Sequence, residues 1–168
     1  MKSATRTMDS PATADNGVPA LHLSVQYAVS PEALPTRPKF RRWVKAALAR
    51  DAEITLRLVG EEEGRTINRD YRGKDYATNV LTFVYDGLPH LAGDIVICPA
   101  VVVREAGEQG KTVEAHFAHL VVHGVLHLHG HDHEEEGEAL EMERLETQIV
   151  TKLGYPDPYR STEEPTEE

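Results

Sequence analysis

Residues 112–133 read TVEAHFAHLVVHGVLHLHGHDH, and the rest of the chain is best read outward from them. Phe117, Leu120, Val121, Val125 and Leu128 recur at helical spacing, which predicts a helix from Thr112 to Leu128 with an apolar face. His123 and His127 are four apart, so they stand one turn above each other on one side of it. Gly130 follows His127 by three residues, where a positive φ would stop the helix. The chain can then fold back and deliver His133. Three neutral imidazoles with one position left for water form the donor set of a catalytic zinc site. Seven of the nine histidines lie between His116 and His133. That clustering, interleaved with apolar residues, differs from scattered surface histidines and from a His-rich tag or storage tract.

The histidines are not equivalent. Helix geometry points His129 away from the His123–His127 side. His131 and His133 both meet the reach of a third ligand. The spacing resembles the metzincin pattern H-E-x-x-H-x-x-G-x-x-H, and that spacing favours His133. His116 and His119 lie earlier on nearly the same stripe and read as buried, supporting or substrate-facing groups. Asp132 either orients a ligand imidazole or caps the next helix. Gly124 stands where metzincins carry their glutamate base, so the metal geometry is kept while the group that moves protons in peptide hydrolysis is missing.

A chain of 168 residues is enough for one domain with a real core. No apolar run approaches a membrane span. Residues 1–19 are polar and read as a disordered leader, neither signal nor transit peptide. Residues 20–159 read as the single folded domain, and 160–168 as an acidic disordered tail. One cysteine, Cys98, excludes an internal disulfide framework and fits a cytoplasmic protein; it is expected in a buried strand, GDIVIC. The net charge of −10 argues against a polyanion partner until its distribution is seen. Residues 134–168 hold 12 acids and 3 bases, which leaves 16 acids and 15 bases elsewhere. Two basic clusters, Arg37, Lys39, Arg41, Arg42, Lys45 and Arg50, then Arg65, Arg69, Arg72 and Lys74, either border a polyanion path or are ordinary solvated faces.

Alternation over Leu21–Tyr27 and Ile54–Leu58 predicts strands, as do the runs Val80–Tyr85 and Gly93–Cys98. Helices are expected after Thr36, from Glu61 to Tyr71, from Pro99 to Gly110, and from Glu134 to Leu153. In the last of these Leu140, Met142, Leu145, Ile149 and Leu153 are the candidate core contacts. The order β-α-β-α-β-β-α-α-α implies an α+β fold, one compact domain with a small mixed four-stranded sheet and packed helices, its metal site on the helix ending at Gly130.

A second constellation, NRDYRGKDYATNVLTFVY at residues 68–85, carries Arg72 and Lys74 on a tip between a helix and a strand. Guanidinium groups suit forked hydrogen bonds to phosphate oxygens. Sequence alone does not bring Arg72 to His123.

The segments YRGKD…TNVLTF, GDIVIC, EAHFAHLVVHGVLHLHGHDH and LGYPDPY together resemble the YbeY family of bacterial single-strand endoribonucleases, linked to ribosomal RNA maturation. The match runs from about Leu21 to Tyr159. The family motif HGxLHLxGYDH is met at His123, Gly124, Leu126, His127, Leu128, Gly130, Asp132 and His133. Departures are His131 in place of Tyr, Thr82 in place of Ser, and Val84 in place of Pro. The resemblance implies Zn²⁺ on His123, His127 and His133, one ion per chain, and a catalytic Arg72. It also implies maturation of the 16S rRNA 3′ end, ribosome quality control, and the small ribosomal subunit and assembly factors as partners. Lys74, His119 and His131 are candidate substrate-binding residues. The rival readings are a metallopeptidase, against which Gly124 argues, and a non-catalytic ribosome-assembly factor with structural zinc, which would need a fourth protein ligand.

Overall fold

The alternating segments form a four-stranded sheet in the computed structural model, which describes residues 17–131 and 135–160. In β1 (Leu21–Tyr27) Leu21 and Val25 turn inward while His22, Ser24 and Gln26 face water. In β2 (Ala52–Leu58) Ala52, Ile54, Leu56 and Leu58 are buried. β3 (Val80–Val84) and β4 (Leu91–Ile97) complete a sheet of order β1-β2-β4-β3. β1, β2 and β4 are parallel, and β3 lies antiparallel on the outer edge of β4. β4 is interior and covered on both faces, so it is almost continuously apolar rather than alternating. It starts at Leu91, two residues before the expected Gly93, because its ladder with β2 runs the full length from Ala52↔Leu91 to Leu58↔Ile97. It ends at Ile97, one residue early. Cys98 is buried as expected, but it caps the next helix, which Pro99 opens.

The helices described are α1 (Arg37–Ala47), α2 (Glu61–Arg72), α3 (Pro99–Gln109), α4 (Val113–Leu128) and α5 (Glu136–Lys152). α4 is the central one. Its Thr112 cap accepts from the Ala115 N–H at 3.1 Å. Phe117, Leu120, Val121, Val125 and Leu128 are all buried. α4 joins α1, α5 and one face of the sheet in the main core, where Trp43 meets Phe40 edge-on at 5.6 Å and Tyr155 at 6.1 Å. A smaller cluster of Val59, Leu81, Val96, Cys98 and Val101 packs with Ile67 of α2.

Two glycines set how closely α4 lies on the sheet. A Cβ on Gly93 of β4 would meet the Phe83 carbonyl oxygen at 2.5 Å and Leu128 Cδ2 at 2.7 Å. A Cβ on Gly124 would meet Ile95 at 3.2 Å and Thr82 at 3.4 Å. Gly93 admits only hydrogen where helix and strand touch, and at Gly124 a side chain would require Ile95 and Thr82 to give by a few tenths of an ångström.

α5 meets expectation in four of its five apolar contacts. Met142 is buried, Leu145, Ile149 and Leu153 pack partly buried against the main core, and Leu140 is 63% exposed. Its fully buried stripe is Met142, Glu146 and Val150, so the inward face also carries a carboxylate that apolar pattern does not reveal. The basic cluster of α1 is occupied internally. Arg37 donates to the Val25 carbonyl at 3.1 Å and lies over the Tyr27 ring, Lys39 pairs with Glu114, and Arg42 donates to the Leu153 carbonyl at 2.9 Å. These cations pin α1 to its neighbours. Among the described residues no helix is long and apolar enough to cross a membrane. The leader and tail lie almost wholly outside the described residues, as do Asp132 and His133.

Candidate active site

The end of α4 is built as its spacing demands. Gly130 adopts φ +99°, its N–H donates to the His127 carbonyl at 2.9 Å, and the His131 N–H donates to the Leu126 carbonyl at 3.1 Å. This paired closure turns the chain out of the helix directly beyond His127. His129 does not face the cluster. Its Nδ1–H donates to the Val125 carbonyl at 2.9 Å and its Nε2 accepts from the Ala49 N–H at 3.1 Å. It is a bracket between α4 and the segment after α1. Burial pushes its pKa down, against the help of the Val125 carbonyl.

His123 and His127 sit together, both partly buried, with ring centroids 4.7 Å apart and planes at 69°. Behind His123 lies Glu146, wholly buried. Its Oε2 accepts from His123 Nδ1 at 2.5 Å and its Oε1 from His119 Nε2 at 2.8 Å, with the Tyr159 hydroxyl as a further donor to Oε1. Burial works to raise the Glu146 pKa, but the hydrogen bonds from His119, His123 and Tyr159 outweigh it and hold the carboxyl at about 2. An ionised carboxylate only accepts, so the His123 nitrogen facing it carries the hydrogen and Nε2 carries the lone pair. That is the form in which an imidazole binds a metal, so the donor chemistry here fits a cation of the zinc type. Among the described residues no three His, Cys, Asp or Glu side chains form a complete metal-binding group; the expected third ligand, His133, is not one of them.

Glu146 was not foreseen from sequence. The available signal was its spacing, four residues from Met142 and four from Val150 on one helix face. A second His–Glu pair extends the stripe, its histidine buried and its glutamate partly so. His116 Nε2 lies 2.9 Å from Glu105 Oε1, which also accepts from Asn79 Nδ2 at 3.0 Å. Burial lowers the His116 pKa, with the Glu105 hydrogen bond opposing.

Asn79, Glu105, Lys111, His119, His123 and Tyr159 are among the residues lining a cleft of about 350 Å³. Lys111, also missed in the sequence, is partly buried there, and desolvation pushes its pKa down. Arg72 and Lys74 do not line this cleft. Arg72 ends α2, Gly73 turns the chain at φ +73°, and Lys74 follows; both cations are exposed and neither pairs with an acid among the described residues. Their neighbours are committed, Arg65 to Asp75 at 2.8 Å and Arg69 to Asp70 at 3.5 Å. The chain from Lys74 runs directly to Asn79 and Val80 at the rim of the cleft. His131 is partly exposed just past the Gly130 turn.

The position between the two paired histidines is equally informative. Gly124 faces Ile95 and Thr82 of the sheet, and the Cβ of any other residue there would press on both at 3.2 to 3.4 Å.

Comparison with known proteins identifies the family. The family model described as Endoribonuclease YbeY matches residues 32–154. A curated protein named Endoribonuclease YbeY from Aromatoleum aromaticum is 62% identical over 142 residues, covering 83% of this chain and 92% of that protein. One of the same name from Methylobacillus flagellatus is 58% identical over 144 residues, covering 86% and 97%. The solution structure of TM1509 from Thermotoga maritima superposes with a TM-score of 0.54 at 30% identity, covering 79% of this chain and 88% of that one. The chain therefore belongs to the endoribonuclease YbeY family.

Proposed function

We propose that this protein is a metal-dependent endoribonuclease that cuts single-stranded RNA and acts in ribosomal RNA maturation, at the 3′ end of 16S rRNA, and in ribosome quality control. The observation that carries this reading is the His123–His127 pair at the closed end of α4, with Nδ1 of His123 hydrogen-bonded to the buried Glu146. His123, His127 and His133 would hold one Zn²⁺. Such an ion, when bound, supplies a Lewis acid and a water of lowered pKa.

The chain's own residues do the rest. His123 and His127 are aimed by the helix, and Gly124 keeps that helix tight against the sheet. Arg72 carries a permanent charge on an exposed tip, suited to the negative charge that grows on a phosphoryl group under attack. Lys74 would bind an adjacent phosphate as a point charge. His119 and His131 would flank the substrate, His119 from the cleft wall with its Nε2 held by Glu146. The small ribosomal subunit and assembly factors are the expected partners, in the cytoplasm. The metallopeptidase alternative loses its base at Gly124, which has no side chain and packs tightly on Ile95 and Thr82.

The test is cleavage of a single-stranded RNA oligonucleotide by the zinc-loaded full chain and by Arg72→Ala. The variant should keep its zinc and its fold and lose about 10²- to 10³-fold in rate, the usual cost of one preorganised charge donor. Full activity in Arg72→Ala would remove this residue from the reaction. The product ends separate two routes: a 2′,3′-cyclic phosphate requires attack by the ribose hydroxyl, whereas 5′-phosphate and 3′-hydroxyl ends require attack by water.

A further inference from the structure

The inward face of α5 is Met142, Glu146 and Val150, so a carboxylate occupies a place where the neighbouring turns carry apolar side chains. Both oxygens are used. One accepts from His123 Nδ1 at 2.5 Å; the other accepts from His119 Nε2 at 2.8 Å and from the Tyr159 hydroxyl. Tyr159 comes from the segment after α5, and its ring lies edge-on against His119 at 5.3 Å. Thus the two imidazoles of α4 and the phenol of the C-terminal segment converge on one buried group.

We propose that Glu146 is a positioning residue of the metal centre, holding His123 in one tautomer and one ring orientation, and that Tyr159 locks the carboxylate from the other side. The inference rests on the reading of His123 as a ligand. It makes Tyr159, which is not one of the proposed ligands, a determinant of metal affinity. Carboxylate partners of ligand imidazoles fix the ring and raise its basicity, so their loss acts on affinity. Glutamine at position 146 keeps the shape but offers one accepting oxygen and one donating amide nitrogen. Whichever way the amide turns, its N–H₂ faces a group that was donating.

The experiment uses the full chain stripped of metal. Zn²⁺ affinity is measured by competition with a chromophoric chelator, the Co²⁺-loaded protein is examined by visible absorption, and the thermal midpoint is recorded in EDTA. Glu146→Gln should weaken Zn²⁺ binding about 10- to 100-fold and alter the Co²⁺ bands, with a smaller loss, still above about twofold, in Tyr159→Phe. If both variants lower the midpoint in EDTA yet bind Zn²⁺ within about twofold of the parent, with unchanged Co²⁺ bands, Glu146 supports the fold only and the proposal is overturned. Should Glu146→Gln not fold, Tyr159→Phe decides by the same criterion. His123→Ala separates the two levels: normal Zn²⁺ binding in that variant defeats the ligand reading itself, independently of Glu146.

Discussion

His123 is held on one side by a carboxylate that is itself wholly buried, whereas Arg72 stands on an exposed turn with no ion pair among the described residues. The first region is fixed by the protein before any substrate arrives. Its donors and acceptor are set by bonds that cross from α4 to α5 and to the segment beyond, and its helix end by bonds of the Gly130 turn. The second is a charged tip whose neighbours Arg65 and Arg69 are tied to acids while Arg72 and Lys74 are left for something outside the fold. A metal site needs donors set in advance, because misaligned ligands lose affinity. A phosphate-binding arginine can be ordered by the phosphate it meets.

The sharpest way to break this contrast is to remove one group from each region. His127→Ala should abolish stoichiometric zinc binding and RNA cleavage together. Arg72→Ala should leave zinc and thermal midpoint untouched and reduce only cleavage, by about 10²- to 10³-fold. If Arg72→Ala also sheds the metal or lowers the midpoint by as much as a core substitution does, the tip is part of the rigid region and the distinction fails.

Gly93→Ala tests the rigid region without touching a ligand. The new methyl would lie 2.5 Å from the Phe83 carbonyl oxygen and 2.7 Å from Leu128, at the end of α4 that carries His127. A backbone oxygen on a paired strand cannot move aside cheaply, so the cost should reach the upper part of about 1–3 kcal/mol in urea unfolding. Zinc affinity should fall with it, since the strand would push on the helix that presents the proposed ligands. An unchanged denaturation midpoint would mean that helix and sheet are not in the tight contact described here.

The two regions also differ in how far they could be read from sequence. Local signals were sufficient where one segment carries its own instructions. Thr36, Pro99 and Thr112 mark helix starts, Gly110 and Gly130 mark stops, and alternation marks β1 and β2. The family was legible for the same reason, because HGVLHLHGHDH is contiguous. Reading failed where the deciding partner is distant. Leu140 was expected inside and is exposed, because the buried face of α5 is set by Glu146 bonding to histidines more than twenty residues earlier. Helix geometry turns His129 from the His123–His127 side, but nothing local foretells its bond to the Ala49 N–H, 80 residues away. Lys111 and Tyr159 meet the site only through tertiary packing.

The smallest expected effect comes from the pair of His116 on α4 and Glu105 on α3, which lines the same cleft as His123 but holds no proposed ligand. Burial lowers the His116 pKa from its ordinary 6.5, so the folded protein keeps this imidazole neutral where the unfolded chain takes up a proton. The unfolded state then binds more protons, and stability falls as pH drops from 6.5 toward the lowered folded value; above 6.5 the contribution is fully present. Glu105 opposes this only in part, since desolvation is the larger influence. His116→Gln retains a side chain able to donate to Glu105 and cannot titrate. Its urea midpoint should therefore decline less between pH 7 and pH 5 than that of the parent. Parallel pH profiles for the two proteins would show that His116 is protonated as readily folded as unfolded, and that the stripe is less dry than its burial implies.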